Sequence, residues 1–395
     1  MTARPVVDDA ARRTRLLRRH GLDGVRGPAG PEQVTADAVG LHATIPASVS
    51  MAAWARGGAD RPEALEQALS EQRTLIKQLA MRRTLFVLDR PLLAAAVGTV
   101  GGRVAASERT NLLRDLRRDE QSSIDPETWI DEAAAAVTAL LADRELTSTQ
   151  VREALPEFDR SVEIAPGKRY GGPSPLLPRV LNMLAARGAV VRGPNAGRWH
   201  QSRYSWTAME TWLGGPLQPL DPAAGHRLLI EAWLRSYGPG TEDDLVWWLG
   251  SMKTAVRSAL RELDVVEVEL DGGVASLLMA DDLETVPATD PVALLLPSLD
   301  PATMGYKHRD FYLGPHAAEI FDRSGNGGQT AWWDGRIVGS WLHRPEQHRV
   351  EVIALEDLPA PASRALDERA AELAEWLGGD SPAVGFPSPV MRRHR

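Results

Sequence analysis

The sequence repeats one order of predicted elements, three helices followed by a two-stranded hairpin, and this repetition limits the possible folds more than any other feature. The clearest copy covers 127–206. Residues 127–144 are rich in alanine and place apolar side chains at three- and four-residue intervals, which predicts a helix. Thr147 or Ser148 is suited to cap a second, short helix, and Pro156 ends it.

The same copy continues with a basic loop over 165–175 and a third helix, after which Gly188 is suited to the left-handed conformation. A hairpin with its turn at 194–197 follows. Three helices and a hairpin form a winged helix, in which the third helix reads a DNA groove and the hairpin is the wing. The sequence therefore predicts a DNA-binding module in this segment.

Further copies lie on both sides of this module. One covers 221–279, with Thr241 as a helix cap and a tight turn at 271–273. A fainter copy occupies the start of the chain. Residues 290–355 alternate or run apolar, which predicts strands in a small barrel or sheet, and a helix is expected over 361–377.

These copies predict a multi-domain, mainly α fold with β wings, in which tandem winged-helix modules precede a C-terminal β-barrel. A chain of 395 residues has room for several such units. We expect a first winged-helix-like module, a second with a basic wing, a third that is acidic, and a barrel-like region with a C-terminal helix. The corresponding boundaries are 8–120, 121–215, 216–289 and 290–395.

The composition argues against several kinds of site. The chain has no cysteine, which rules out disulfides and thiolate metal sites, and its 9 histidines lack the close spacing of a metal-binding helix. We therefore expect no metal and no cofactor. The N-terminal residues do not resemble a secretory signal, and no stretch of about 18 apolar residues occurs. We expect no membrane segment and a cytoplasmic protein, associated with the nucleoid when bound to DNA.

The net charge of −8 by itself argues against a nucleic-acid partner, but the charges are unevenly distributed along the chain. No acidic residue lies between Glu163 and Glu210, and cations that no carboxylate opposes are suited to phosphate contact. Arg187 and Arg192 have the alternative role of solvating a helix end and the hairpin. The predicted DNA-binding residues in this interval are Lys168, Arg169, Arg179, Arg198, Arg203 and, for base stacking, Trp199.

A second basic group lies in the first module, on its predicted last helix and the strand after it. Arg73 and Lys77 are four residues apart and would share one helical face, and Arg82 and Arg83 follow them. We expect this group to contact DNA as well. The third module differs, because residues 221–290 hold 5 basic and 14 acidic side chains. It would repel phosphate and is expected to pack against its neighbours.

The segment His42-Ala43-Thr44-Ile45-Pro46 is the remaining candidate site. Pro46 disfavours helical geometry at the preceding residue, which predicts a kink between two helices. In an extended kink His42 and Thr44 face the same side, where an imidazole and a hydroxyl could hold a water molecule. In the alternative interpretation, the two side chains only form hydrogen bonds with the ends of the flanking helices.

Several segments resemble one known group of proteins, the AlkZ-like DNA glycosylase family. They contain the sequences VGLHATIPASVSMAAWAR, LIKQLAMRRTLFVLD, LVWWLG, LLPSLDPATMGYKHRDFYLG and WWDGRIVGSW, and the similarity extends over nearly the whole chain. The resemblance implies three tandem winged helices and a β-barrel, curved into a concave surface for duplex DNA. It also implies excision of alkylated purines, including crosslinked ones, without a metal or cofactor.

The family's catalytic positions correspond to His42 and Thr44 in this sequence. Characterised members have glutamine at the first position and glutamine or aspartate at the third, so this chain represents a divergent branch with His-Ala-Thr. Family members also tend to have glycine and histidine where this chain has Arg83 and Phe86. The resemblance implies that His42 and Thr44 position a water molecule for hydrolysis.

Three functions remain open from the sequence. A monofunctional DNA glycosylase that excises bulky alkylated purines, in repair or self-resistance to a genotoxin, is expected to act as a monomer with little sequence preference. A non-catalytic DNA-binding protein or transcription regulator would instead be a dimer on a symmetric operator. A damage-sensing or drug-sequestering protein would keep the concave surface without bond cleavage.

Overall fold

A computed structural model describes residues 4–25, 27, 29–118, 125–164, 167 and 171–395 of the chain. Helices alternate with five small sheets, each of two to four strands. The fold is therefore mixed α/β, whereas the sequence analysis expected a mainly α fold with β structure confined to wings and a barrel. Some of the additional strands pair with partners that are distant in sequence, which local patterns do not reveal.

The first region, residues 4–118, is built around a three-stranded antiparallel sheet. Its elements are β1 (Val6–Val7), α1 (Asp9–Arg19), α2 (Pro31–Asp37), β2 (Leu41–His42), α3 (Pro46–Ala55), α4 (Ala64–Glu66), β3 (Leu75–Leu79), β4 (Leu85–Asp89), α5 (Arg90–Ala96) and α6 (Gly102–Leu116). Strand β4 lies between β2 and β3. The Asp89 carboxylate caps α5 by accepting from the Leu92 amide at 2.8 Å.

For the basic group of this region we predicted one long helix, and this prediction is wrong in its second half. Helical structure ends at Glu71, and β3 pairs along its whole length with β4. A short apolar run suits a helix or a strand equally, so the partner strand decides between them. Arg73 precedes β3 and Lys77 lies within it, and the two side chains therefore do not share a helical face.

The second region has the predicted order of three helices and a hairpin. Its elements are α7 (Pro126–Leu140), α8 (Ser148–Ala154), β5 (Ser161–Ile164), β6 (Gly172–Pro175), α9 (Leu177–Ala186), β7 (Val190–Asn195), β8 (Tyr204–Ala208) and α10 (Met209–Leu213). Thr147 caps α8 in a capping box with Gln150, and Gly188 adopts the predicted left-handed conformation with φ +72°.

Two details of the second region differ from the prediction. The segment expected to be a loop before α9 contains the strand β6, which pairs with β5 just before that segment. The wing hairpin has a longer connection than the predicted four-residue turn, because β7 ends at Asn195 and β8 begins at Tyr204. The Asn195 side chain holds this connection through its amide, which donates to the carbonyls of Arg198 (3.0 Å) and Gln201 (2.9 Å). We call residues 196–203 the wing loop.

The third region matches the predicted order and the predicted hairpin boundaries. Its elements are α11 (Pro222–Tyr237), α12 (Glu242–Leu249), α13 (Lys253–Leu260), β9 (Val265–Leu270) and β10 (Val274–Met279). Thr241 caps α12 in a capping box with Asp244. Strand β1 from the start of the chain pairs in parallel with β9 and completes a three-stranded sheet.

The C-terminal region combines a sheet with short helices and one long helix. Its elements are β11 (Ala293–Leu296), α14 (Pro301–Met304), α15 (Asp310–Leu313), α16 (Ala317–Ile320), β12 (Thr330–Trp333), β13 (Arg336–Arg344), β14 (Arg349–Ala354), α17 (Ala360–Leu377) and α18 (Pro389–His394). The strands form an antiparallel sheet in the order β11-β12-β13-β14. This sheet is open within the described residues, so the predicted closed barrel is not confirmed.

The apolar cores connect these regions unequally. The largest core extends from Leu16 in α1 through Trp233 in α11 to Trp332 in β12, and thus joins the first, third and C-terminal regions; the second region adds only its last part, such as Trp212. The second region forms most of another core, which includes Trp129 and Trp206. The four domain boundaries expected from the sequence stay a prediction. No helix in the described part of the chain is long and apolar enough to cross a membrane.

Candidate nucleic-acid interface

The His-Ala-Thr segment lies at the end of β2 and in the bend that leads to α3. His42 pairs with Phe86 of β4, and its imidazole packs at 5.0 Å from the Phe86 ring. The side chain is buried, with 5% exposed, whereas Thr44 is exposed. The predicted kink between two helices is therefore a strand end followed by a bend, and the two side chains differ in their access to solvent.

Burial determines the protonation state of His42. Burial, followed by the positive charge of the neighbouring Arg82, lowers the pKa of His42 to about 3. The imidazole is therefore neutral at physiological pH. Its Nδ1 atom is buried and has no hydrogen-bond partner among the described residues.

Arg82 lies near His42, and it shares one tryptophan with a second arginine, Arg309. The guanidinium of Arg82 lies 4.1 Å from the ring centre of Trp247, and that of Arg309 lies 5.1 Å from the same ring. Burial, followed by the charge of Arg309, lowers the pKa of Arg82 to about 10, so it remains a cation. Arg82 was a predicted site residue. Arg309 and Trp247 were missed, although both lie in segments that carried the family resemblance.

A glycine explains part of the geometry around Arg82. Gly250 ends α12 in the left-handed conformation with φ +59°, and a Cβ there would lie 3.2 Å from the Arg82 backbone. Arg82 itself has φ +52°. The close approach of these two backbones holds the arginine next to Trp247.

The other predicted DNA-binding residues of the first region, Arg73, Arg83 and Lys77, lie close to groups of the protein itself. The Arg73 guanidinium stacks on Trp212 at 4.2 Å, and Arg83 forms an ion pair with Glu108. Lys77 is half-buried in β3, where burial lowers its pKa and the charge of Glu66 opposes that shift. Their contact with DNA stays a prediction.

The predicted basic surface of the second region is partly neutralised. Arg179 donates to Asp115 at 3.0 Å, and Arg198 pairs with Asp380 at 2.6 Å. Arg203 is exposed, and no side-chain partner occurs among the described residues; the same holds for Arg187. Lys168 and Arg169 lie outside the described residues.

Trp199 occupies a different environment from the one expected for base stacking. Only 8% of its surface is exposed. Its ring packs edge-on against Trp376 of α17 at 5.5 Å, and its Nε1 donates to the Asp380 carboxylate at 2.6 Å. Packing of the wing loop against α17 makes the ring part of a core, so a base cannot stack on it in this conformation.

A buried ion pair that the sequence analysis missed connects the regions behind the motif. Arg56 at the end of α3 donates to both carboxylate oxygens of Asp300, at 2.8 and 2.9 Å, and both side chains are fully buried. His20 lies 3.5 Å from the same guanidinium and 3.0 Å from the Ser236 hydroxyl. No three His, Asp or Glu side chains converge to hold a metal in the described part of the chain.

Comparison with known proteins finds a similar fold and a matching family. By fold, the chain is similar to the solved structure of Streptomyces sahachiroi DNA glycosylase AlkZ, with a TM-score of 0.73 and 20% sequence identity over 93% of this chain and 97% of that one. The model of the family "DNA glycosylase AlkZ-like" matches residues 35–376. This chain belongs to the AlkZ-like family of DNA glycosylases, as the resemblance indicated. No curated protein matches the chain.

Proposed function

We propose that this protein hydrolyses the N-glycosidic bond of alkylated purines in duplex DNA, with a preference for bulky adducts. The observation that supports this proposal is the arrangement at the family's catalytic positions. An exposed Thr44 hydroxyl follows a neutral, buried His42 at a strand end. Membership in a DNA glycosylase family makes the duplex the expected partner.

The chemistry of the substrate makes few demands on this site. An N7-alkylated purine carries a positive charge and departs readily, so the enzyme must expose the bond and place a water molecule near the sugar. Thr44 is the group that can contact that water. With a pKa of about 3, His42 takes up almost no protons at neutral pH, so its role is to position Thr44 and the water rather than to act as a strong base.

The two arginines on Trp247 have a separate role in this proposal. Arg82, near His42, and Arg309, on the same tryptophan, would bind a phosphate of the damaged strand. Such a contact fixes the register of the duplex without reading its sequence. Positive charges do not stabilise an oxocarbenium-like sugar, so we assign them to binding and not to the chemical step.

The second region is proposed to contact the duplex as a winged helix. In this mode α9 approaches a groove and the wing hairpin lies along the backbone. Arg187 and Arg203 are exposed cations with no side-chain partner among the described residues of this region, and Lys168 and Arg169 belong to the same proposal. Such contacts are with phosphates, so binding would show little sequence preference. We propose that the protein acts as a monomer in the cytoplasm, associated with the nucleoid.

The test is release of base from duplex DNA that carries N7-methylguanine or a bulky N7-alkylguanine, followed by alkaline cleavage of abasic sites. We expect His42→Ala and Thr44→Val to slow release by about 10²-fold or more, within the range that general catalysis contributes. Thr110→Val is the matched control, because Thr110 donates only to its own helix.

The pH profile distinguishes positioning by His42 from proton transfer by it. Because the pKa of His42 is about 3, release should not change with His42 titration between about pH 6 and pH 8. A profile that rises with a pKa near 6.5, and disappears in His42→Ala, would contradict the positioning role. If the protein binds the duplex but releases no base from any adduct, the proposed function is a non-catalytic DNA-binding role instead.

A further inference from the structure

A cavity of about 360 Å³ lies next to the bend that carries Thr44. Ile45 is in its wall, which places the cavity one residue beyond the His-Ala-Thr segment. The start of α3, the end of β13 and residues 381–385 enclose it. Met51 and Trp341 supply buried apolar surface, and the Trp341 Nε1 is already used in a hydrogen bond to the Leu296 carbonyl at 2.9 Å.

Unpartnered polar atoms are concentrated around this cavity. The Ser48 hydroxyl, the Ser298 hydroxyl and the Gln329 Oε1 are all buried and have no hydrogen-bond partner among the described residues. These side chains are only 2%, 3% and 5% exposed. His343, on the same wall, has an unpartnered buried Nδ1. Buried polar atoms in native proteins normally have a partner, so these atoms are available to form hydrogen bonds with a molecule in the cavity.

The cavity wall indicates an uncharged ligand. No acidic side chain is present among the described residues that line it. Arg344 is in the wall, but its guanidinium pairs with Glu351 at 2.8 Å. Burial, and next the charge of His348, lowers the pKa of His343, so its imidazole is neutral at pH 7 and can accept a hydrogen bond. Arg395 also lines the cavity but is an exposed residue, so the buried part of the wall has no unpaired charge that would balance a strongly charged ligand.

The arrangement of hydrogen-bond donors and acceptors narrows the class of ligand further. Hydroxyl groups donate and accept, the Gln329 Oε1 accepts, and a neutral imidazole does either. A ligand that satisfies them needs several donors and acceptors on one rim, and the apolar walls favour flat faces. Nitrogen heteroaromatic rings of the purine type have both properties, and cavities of about 300–1,000 Å³ are typical of sites for small ligands.

We propose that this cavity binds a neutral, purine-type heteroaromatic ring through Ser48, Ser298 and Gln329. The inference rests on the proposed function for the source of the ring, which is either the base after its release or an aromatic part of a bulky adduct still attached to DNA. In both cases the ring enters past Ile45, beside the site of bond cleavage.

The experiment titrates 7-methylguanine into the full-length protein without DNA and follows the heat of binding. We expect saturable binding by the wild type and at least tenfold weaker binding by Gln329→Met, which keeps the side-chain length but removes the amide. Ser298→Ala provides a second, smaller change. The matched control is Ser276→Ala, because the Ser276 hydroxyl is also buried and unpartnered but lies in β10, outside the cavity. Circular dichroism verifies that each variant is folded.

Two results would overturn the proposal: no saturable binding by the wild type up to millimolar 7-methylguanine, or equal binding by the wild type and the folded Gln329→Met and Ser298→Ala variants. Because this titration contains no DNA, it gives the same answer whether or not the protein cleaves a glycosidic bond. A protein that binds the free base but releases none from DNA would keep the cavity assignment and reject the proposed function.

A second arm separates the two sources of the ring. If the released base occupies the cavity, added 7-methylguanine inhibits cleavage of methylated and bulky-adduct duplexes alike, and Gln329→Met relieves the inhibition. If an adduct ring occupies it, Gln329→Met lowers kcat/KM for the bulky-adduct duplex and leaves that for the methylated duplex unchanged. A Gln329→Met variant that changes neither inhibition nor kcat/KM would reject the cavity as a ring-binding site in the reaction.

Discussion

The second and third regions have the same order of elements but different positions in the molecule. The second region forms most of its own core, in which Trp206 is 2% exposed. The third region contributes Trp233, with no exposed surface, to the large core that also contains residues of the first and C-terminal regions. The order of helices and strands therefore does not decide whether a module is an independent unit or part of a larger body.

Their surfaces differ in the same way. The third region carries acids that pair with nearby cations, such as Glu242 with Arg257 at 2.8 Å. The second region has the interval without acidic residues, and Arg187 and Arg203 remain exposed there. A module that packs into the body can carry acids on its exposed side, whereas one that contacts phosphate cannot. The predictions below test this difference, beginning with the largest expected effect.

Removing the central tryptophan of each region should destabilise different parts of the protein. Trp233→Ala and Trp206→Ala each remove a large buried ring and should lower a free energy of unfolding by about 3–5 kcal/mol. For Trp233 the loss should extend through the first, third and C-terminal regions, whereas for Trp206 it should stay within the second region and α6, which shares its core. Hydrogen exchange followed by mass spectrometry, in increasing urea, measures both. Identical exchange patterns in the two variants would mean that the second region is not a separate unit.

Acid should lower the free energy of unfolding through two buried histidines. Burial, then the charges of Arg56 and Arg19, holds the pKa of His20 well below its usual range, and the pKa of His42 is about 3. The unfolded chain takes up protons at these residues near pH 6.5 and the folded chain does not. Their contribution to stability is therefore fully present above about pH 6.5, and decreases below it by up to about 1.4 kcal/mol per pH unit for each histidine.

Urea unfolding between pH 7.5 and pH 5 measures this dependence. His20→Gln and His42→Gln should each reduce the slope of stability against pH by about one proton. His348→Gln is the control, since His348 is an exposed histidine at a turn. A slope that neither buried substitution changes would assign the acid sensitivity to other groups.

Neutralising the exposed cations of the second region should alter DNA binding more than the same change in the third region. Each phosphate contact contributes about 0.9 to the slope of log K against log salt. Arg187→Ala with Arg203→Ala should therefore lower the slope by up to about 1.8. The matched control is Arg235→Ala with Arg257→Ala in the third region, where both arginines already pair with acids. An equal loss of slope in the control would show that the third region contacts DNA too.

The smallest expected effect concerns the contact between the wing loop and Asp380. Asp380→Asn removes the carboxylate that pairs with Arg198 but keeps an acceptor for the Trp199 Nε1. Arg198 is 67% exposed, so the pair contributes less than about 1 kcal/mol to stability. Its release should raise the salt slope of DNA binding by up to about 0.9. The control is Asp367→Asn, an exposed residue of α17, and a slope that both variants leave unchanged would exclude Arg198 from the interface.

Local sequence signals predicted much of the third region. The helix cap at Thr241, the turn at 271–273 and the hairpin strands occur where they were expected. These features depend on residues that are close in sequence, such as a capping hydroxyl and the donor three residues later. The same kind of signal placed α8, Gly188 and the strands of the C-terminal sheet.

The candidate site was predicted only in part. The segment around His42 was identified, but its strand pairing with Phe86 and the difference in exposure between His42 and Thr44 were not. Arg309 and Trp247 come together with Arg82 from distant parts of the chain. No local spacing reports such a contact.

By itself, the sequence determined the order of elements in the second and third regions, the family and the uneven charge, because each is written in neighbouring residues or in their totals. The tertiary structure alone decided which cations remain exposed and which aromatic rings are buried. Arg198 and Trp199 illustrate this, because one distant carboxylate, Asp380, takes both as partners. Long-range packing sets solvent access, and solvent access determines whether a side chain can meet DNA or must satisfy the protein instead.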